Sequence, residues 1–148
     1  MKTILALVDF TDASSKVLKQ TAALASALGS QVILMHVVPR ETPVATYGGE
    51  VPAIPIEPSP ETIAADKRKL DGLQESLTQL GINVRALQFK GPVAETVIAE
   101  TPQLNAALVI MGSHHHSALY NLFIGSVTAE VLKRASFPVL VVPCDVPG

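Results

Sequence analysis

Tryptophan is absent from this 148-residue chain, and its aromatics are two Tyr and four Phe. Any core must therefore be aliphatic, built from Val, Leu, Ile and Ala. A single cysteine, Cys144, excludes an internal disulfide, and nothing points to an oxidising compartment. Charged residues make up only 16%, and the net charge of -2 lacks the basic excess that a nucleic-acid groove requires. No stretch of eighteen or more apolar residues exists to span a bilayer. The short apolar start, Ile4 to Val8, is interrupted by Asp9 and Asp12 with no small-residue cleavage site after it, unlike a signal peptide. The cytoplasm is the expected compartment.

What remains is rich in aliphatic residues, 48% hydrophobic by type, and long enough for one ordinary domain. Short β-branched runs alternate with longer helical patterns. Ile4 to Val8 reads as a strand buried on both faces. Thr11 or Asp12 can cap a helix whose stripe of Val17, Leu18, Thr21, Ala22, Leu24, Ala25 and Leu28 ends at Gly29. Gln31 to Val38 is a second strand. Six prolines and Gly48-Gly49 between Pro39 and Pro60 exclude regular helix or central strand, which predicts a long surface loop within the domain.

Ser59-Pro60-Glu61 opens the next helix with a capping hydroxyl, a proline at the first helical position and an acid. It runs to about Leu80, and Gly81 ends it. The pattern then predicts a strand over Ile82 to Phe89, nearer an edge because it alternates, and a helix from Val93 to about Glu100. A buried strand over Ala106 to Met111, a helix over Ser126 to Ala135 and a last strand over Pro138 to Val142 complete it. This order is that of an α/β domain: an open parallel sheet with helices on both faces, Rossmann-like. Such sheets bind ligands at the carboxyl ends of their strands, where strand order reverses. Asp9, His36-Val37-Val38 and the segment from Met111 onward are then the places to look for chemistry.

Between Gly112 and Ser126 lies the most informative segment. Gly112 directly follows a buried strand, where glycine permits a sharp turn and close approach to a ligand. Gly125-Ser126 directly precedes a helix, whose free N–H groups and positive dipole end form an anion site. A turn glycine and an ordinary helix start are the plainer alternative. Asp9, at a strand end before a helix, is equally at home as a turn or capping residue. His36, inside a buried strand, reads as a hydrogen-bonded core histidine. His114-His115-His116 invites a zinc reading, but adjacent loop residues rarely point the same way and no Cys or carboxylate lies nearby. A phosphate-facing polar loop fits better, and no metal ligand is assigned. No Walker lysine and no His–Cys pair is present, so any hydrolysis of a bound phosphate group is expected to be slow.

The chain resembles the universal stress protein family over nearly its whole length. Nucleotide-binding members carry G-x2-G-x9-G-[ST] after the fourth strand. Here Gly112 is followed by His115 at the second glycine position, then by Gly125-Ser126 at the matching distance. The entry strand with Asp9, the His36-Val37 strand end and the closing Pro138-Val139-Leu140-Val141-Val142-Pro143 match as well. The resemblance implies a five-stranded sheet of order 3-2-1-4-5 that binds ATP or a related adenine nucleotide (AMP or ADP), with Mg²⁺ as an accompanying ion. It also implies a stress-response regulator acting as a homodimer through the last strand, Val139 to Val142. A nucleotide-free dimeric interaction module of the same fold is the alternative. By that likeness Leu7 and Val37 would flank the adenine, Asp9 would approach the ribose or a metal, and Met111 and Gly112 would line the ribose. His115, Gly125, Ser126 and Val127 would surround the phosphates. A side chain at His115 either crowds the phosphate path or contributes a donor, since His tolerates a left-handed backbone better than most residues.

Overall fold

A computed structural model of the chain describes residues 2–39, 57–113 and 126–143. The elements run β1 (Thr3–Leu7), α1 (Asp12–Leu28), β2 (Gln31–Pro39), α2 (Pro60–Gln79), β3 (Val84–Gly91), α3 (Val93–Gln103), β4 (Ala106–Ser113), α4 (Ser126–Arg134) and β5 (Val139–Pro143). All the strands pair in parallel, in the order β3-β2-β1-β4-β5. The expected open parallel sheet and its strand order are therefore present. The predicted Pro-rich surface loop falls almost wholly outside the described residues, as do the His114-His115-His116 run, Gly125 and Cys144.

Two aliphatic cores form, one on each face of the sheet. Ile4, Ala6, Val8 and Leu34 point to the face covered by α1 and α2, where they meet Val17, Leu70 and Leu77. Leu5, Met35, Val109 and Met111 point to the other face, against Val97 of α3 and Val131 of α4. The alternation along each strand follows from its two-residue period. With both faces covered, β1 and β2 are almost wholly buried, and β4 is buried through Val109, Ile110 and Met111. β3 and β5 lie at the edges and are partly exposed.

Several boundaries differ from the sequence expectation, each for a local reason. β3 starts two residues later because Gly81, at φ 82°, closes α2 in a Schellman turn. In that turn the Gly81 N–H donates to the Thr78 carbonyl and the Ile82 N–H to the Leu77 carbonyl, leaving Ile82 outside the sheet. α3 continues beyond Glu100 to Gln103 with Pro102 inside its last turn. It ends where the Asn105 N–H donates to the Pro102 carbonyl and Asn105 itself takes φ 53°. A proline that close to a helix end removes little, because few turns remain to be broken. Thr11 takes the extended backbone of an N-cap, but its hydroxyl caps no helix N–H and instead donates to Asp9.

Candidate functional site

The carboxyl ends of β1, β2 and β4 frame a cavity of about 400 Å³. It lies between β1 and β4, where the chain's strand order reverses, as ligand sites in open α/β sheets do. One wall is apolar. Leu7, Val37, Val93, Met111 and Val127 all belong to the core on the α3–α4 face and line this wall. The opposite wall comes from the α1–α2 face: Val8, Val17 and Phe10, with His36, Asp66 and Lys69 as its polar groups. Asp9, Ala13, Ser14, Pro39, Gly112 and Thr128 complete the lining. An apolar wall beside a few polar groups suits a ring system carrying a polar tail.

The β1–α1 turn is built by a compact set of hydrogen bonds. The Ser14 hydroxyl oxygen accepts from the Asp9 N–H at 2.8 Å and the Phe10 N–H at 3.1 Å. The same hydroxyl donates to Asp9 Oδ1 at 2.9 Å. Asp9 Oδ1 also accepts from the Thr11 N–H at 3.0 Å and the Thr11 hydroxyl at 2.6 Å. These bonds hold Phe10 at φ 65°, a left-handed conformation that is costly for a bulky side chain. Asp9 thus serves as a turn residue while also standing on the cavity rim. The two readings of Asp9 turn out to be compatible.

On the far side, Thr128 in the first turn of α4 donates from its hydroxyl to the Gly112 carbonyl at 2.9 Å. Thr128 is buried, and this bond ties the end of β4 to the start of α4. Ser126 is the first residue of α4, exposed and outside the cavity lining. Of the nine sequence-predicted nucleotide residues, Leu7, Asp9, Val37, Met111, Gly112 and Val127 meet around one cavity. His115 and Gly125 lie outside the described residues.

Among the contributors that sequence reasoning missed are Phe10, Ser14, Asp66 and Thr128. Ser14 and Thr128 look like ordinary first-turn helix residues, and no periodicity marks them. Asp66 is thirty residues from His36, yet its Oδ2 lies 3.2 Å from His36 Nε2. His36 Nδ1 lies 2.9 Å from the Val8 carbonyl oxygen, which bears out a hydrogen-bonded core histidine. Among the described residues, no group of three or more His, Cys, Asp or Glu side chains comes together to hold a metal. Nor is any described helix long and apolar enough to cross a membrane.

Comparison with known proteins places this geometry. The model of the universal stress protein family matches residues 1–143. Universal stress protein A homolog 1 of Coxiella burnetii is 34% identical over 147 residues, covering 95% of each chain. A universal stress protein of Methanocaldococcus jannaschii is 28% identical over 152 residues, covering 95% of this chain and 94% of its own. In fold, the chain is similar to the solved universal stress protein from Archaeoglobus fulgidus in complex with dAMP. The TM-score is 0.71 at 19% identity, over 95% of this chain and 97% of that one. On the family match and the Coxiella relative together, this chain belongs to the universal stress protein family.

Proposed function

We propose that this protein is a stress-response regulator that binds ATP or a related adenine nucleotide in the cavity at the ends of β1, β2 and β4. The observation that carries the reading is the convergence of Leu7, Asp9, Val37, Met111, Gly112 and Val127 on that one cavity. Its volume of about 400 Å³ falls among small-molecule sites, which run from about 300 to 1,000 Å³. The base would lie on the apolar wall between Leu7 and Val37, and the ribose against Met111 and Gly112. The phosphates would run toward the N-terminal end of α4, where backbone N–H groups and the helix dipole favour anions. Asp9 would meet the ribose or a Mg²⁺ beside the phosphates. The dAMP complex of the Archaeoglobus relative supports an adenine nucleotide as the ligand class.

Calorimetry with ATP and Mg²⁺ tests the reading, and absence of binding at millimolar nucleotide would refute it. Gly125→Val should abolish binding. His115→Gly should preserve or strengthen it. Unchanged affinity in Gly125→Val would mean that the phosphates run elsewhere.

The protein acts, on this reading, as a homodimer through β5. That strand is a sheet edge whose Leu140 is 37% exposed, and an apolar edge left open is an aggregation hazard. Antiparallel pairing across a two-fold would cover it. Sedimentation should give a dimer for the parent chain and a monomer for Leu140→Asp. A Leu140→Asp chain that stays dimeric would place the contact on another surface.

A further inference from the structure

His36 sits between two oxygen atoms. One ring nitrogen is at hydrogen-bond distance from the Val8 carbonyl, and the other faces the Asp66 carboxylate. The His36 side chain is 6% exposed and that of Asp66 17%. A carbonyl oxygen can only accept, and so can an ionised carboxylate. Neutral imidazole carries one N–H. In either tautomer, one nitrogen would then turn a lone pair onto an oxygen lone pair, in a setting where an unmade hydrogen bond is costly. Both contacts are made together only if the His36–Asp66 pair holds one proton more than neutral imidazole plus carboxylate. Either the imidazolium donates from both nitrogens, or a protonated Asp66 donates to Nε2.

This one ring joins three elements that build the polar wall of the cavity. Val8 follows β1, His36 belongs to β2 immediately before Val37, and Asp66 belongs to α2. The Phe10 ring packs on His36 with centroids 4.4 Å apart, adding the β1–α1 turn. Among the described residues, the charged groups facing this cluster are few. On α2, Lys69 Nζ lies 4.0 Å from Asp66 Oδ1 and 5.6 Å from the Phe10 ring centroid. From the β1–α1 turn, Asp9 stands on the same cavity rim. The β3 residue paired with His36 is the uncharged Gln88, whose amide donates to the Ile63 carbonyl.

We propose that His36 is a positioning residue of the nucleotide cavity, holding α2 against the end of β2 through a proton-dependent contact with Asp66. Proton uptake fastens the α2 wall and proton loss releases it. The proton assignment stands on the geometry alone, and the effect on affinity rests on the nucleotide reading above.

Two arms keep these separate. In the ligand-free protein, ¹⁵N NMR of the imidazole and ¹³C NMR of the Asp66 carboxyl are followed from about pH 5 to 8, the window in which histidines change charge. The expected spectra show the extra proton on the pair at the acid end, either two ring N–H groups or a neutral Asp66 carboxyl. A singly protonated ring opposite an ionised Asp66 throughout would overturn the proposal. In the second arm, ATP affinity is measured over the same range in the parent chain, Asp66→Asn and Asp66→Ala. The Asn carboxamide can donate to neutral Nε2 without an added proton, so Asp66→Asn should hold the contact at both ends.

Relative to Asp66→Asn, the parent chain should weaken roughly fivefold toward the alkaline end, the loss of about one hydrogen bond. Asp66→Ala should be weak at both ends. Protonation of ATP and of other histidines is common to the three proteins and cancels in the ratio. A parent-to-Asn ratio that does not change with pH overturns the coupling. ATP binding in none of the three, with the extra proton present, overturns the nucleotide reading and the coupling to it, while the proton assignment holds.

Discussion

Replacing Ser14 by Ala deletes one oxygen atom and should unsettle the whole β1–α1 turn. That oxygen accepts from two successive backbone N–H groups, those of Asp9 and Phe10, and donates to Asp9 Oδ1. Each hydrogen bond to a neutral group is worth about 1 kcal/mol net, and one to a carboxylate somewhat more. The turn is part-buried, so water recovers some of the loss. The sum comes to about 2–4 kcal/mol of unfolding free energy. A further consequence follows from Phe10. Its left-handed backbone at φ 65° is tolerable only while its N–H is held, and without Ser14 the turn can relax toward a commoner conformation. The Phe10 ring would then leave His36, and the cavity would lose part of its lining. Urea unfolding of parent and Ser14→Ala chains gives the stability change directly, and calorimetry with ATP reads the cavity. A loss below about 0.5 kcal/mol, the range of an ordinary surface substitution, would refute the argument that this hydroxyl organises the turn.

Two other substitutions probe the joints of the fold. Thr128→Val keeps the shape but removes the donor to the part-buried Gly112 carbonyl, and should cost about 1–3 kcal/mol in denaturant unfolding, while Thr128→Ser should retain most of the stability. Gly29→Ala should cost about 1 kcal/mol in thermal unfolding although no atom stands within 4 Å of the added Cβ, because Gly29 holds φ 63° where the Ser30 N–H reaches back to the Ala25 carbonyl.

The sheet was legible because its physics is local and repetitive. A strand buried on both faces must be apolar throughout, and Ile4, Leu5, Val32, Ile33 and Leu34 announce that without reference to anything distant. Helix limits were legible where a glycine or a Ser-Pro pair marks them, as at Gly29 and Ser59-Pro60, the latter with its hydroxyl accepting from the Thr62 N–H. The strand order came from resemblance, since periodicity says nothing about which strands are neighbours. The apolar wall of the cavity came from the same source, through matched motif positions. The polar wall stayed hidden for a different reason. Asp66 lies on a helix with mostly polar neighbours in sequence, and only the crossing of α2 over β2 brings its carboxylate to His36. Ser14 is similar: its partners are four and five residues back across a turn whose left-handed residue is a phenylalanine, which no turn statistic anticipates.

The central strand of the sheet is also the first in the chain, and this orders the molecule's assembly in time. As the chain emerges from the ribosome, β1 can pair with β2 once residue 39 is available, and β3 can join after residue 91. The other edge of β1 must wait for β4, roughly a hundred residues after its own synthesis. Until then, Leu5 and Met35 face an unfinished side with neither α3 nor α4 fully in place. The contacts that close the domain are thus of long sequence range, which slows folding and leaves an apolar strand edge unprotected in the nascent chain. The half-molecule made first carries His36 and Asp66, and the half made last carries Met111 and Thr128. Neither half contains the cavity, which exists only once α4 has been made and packed.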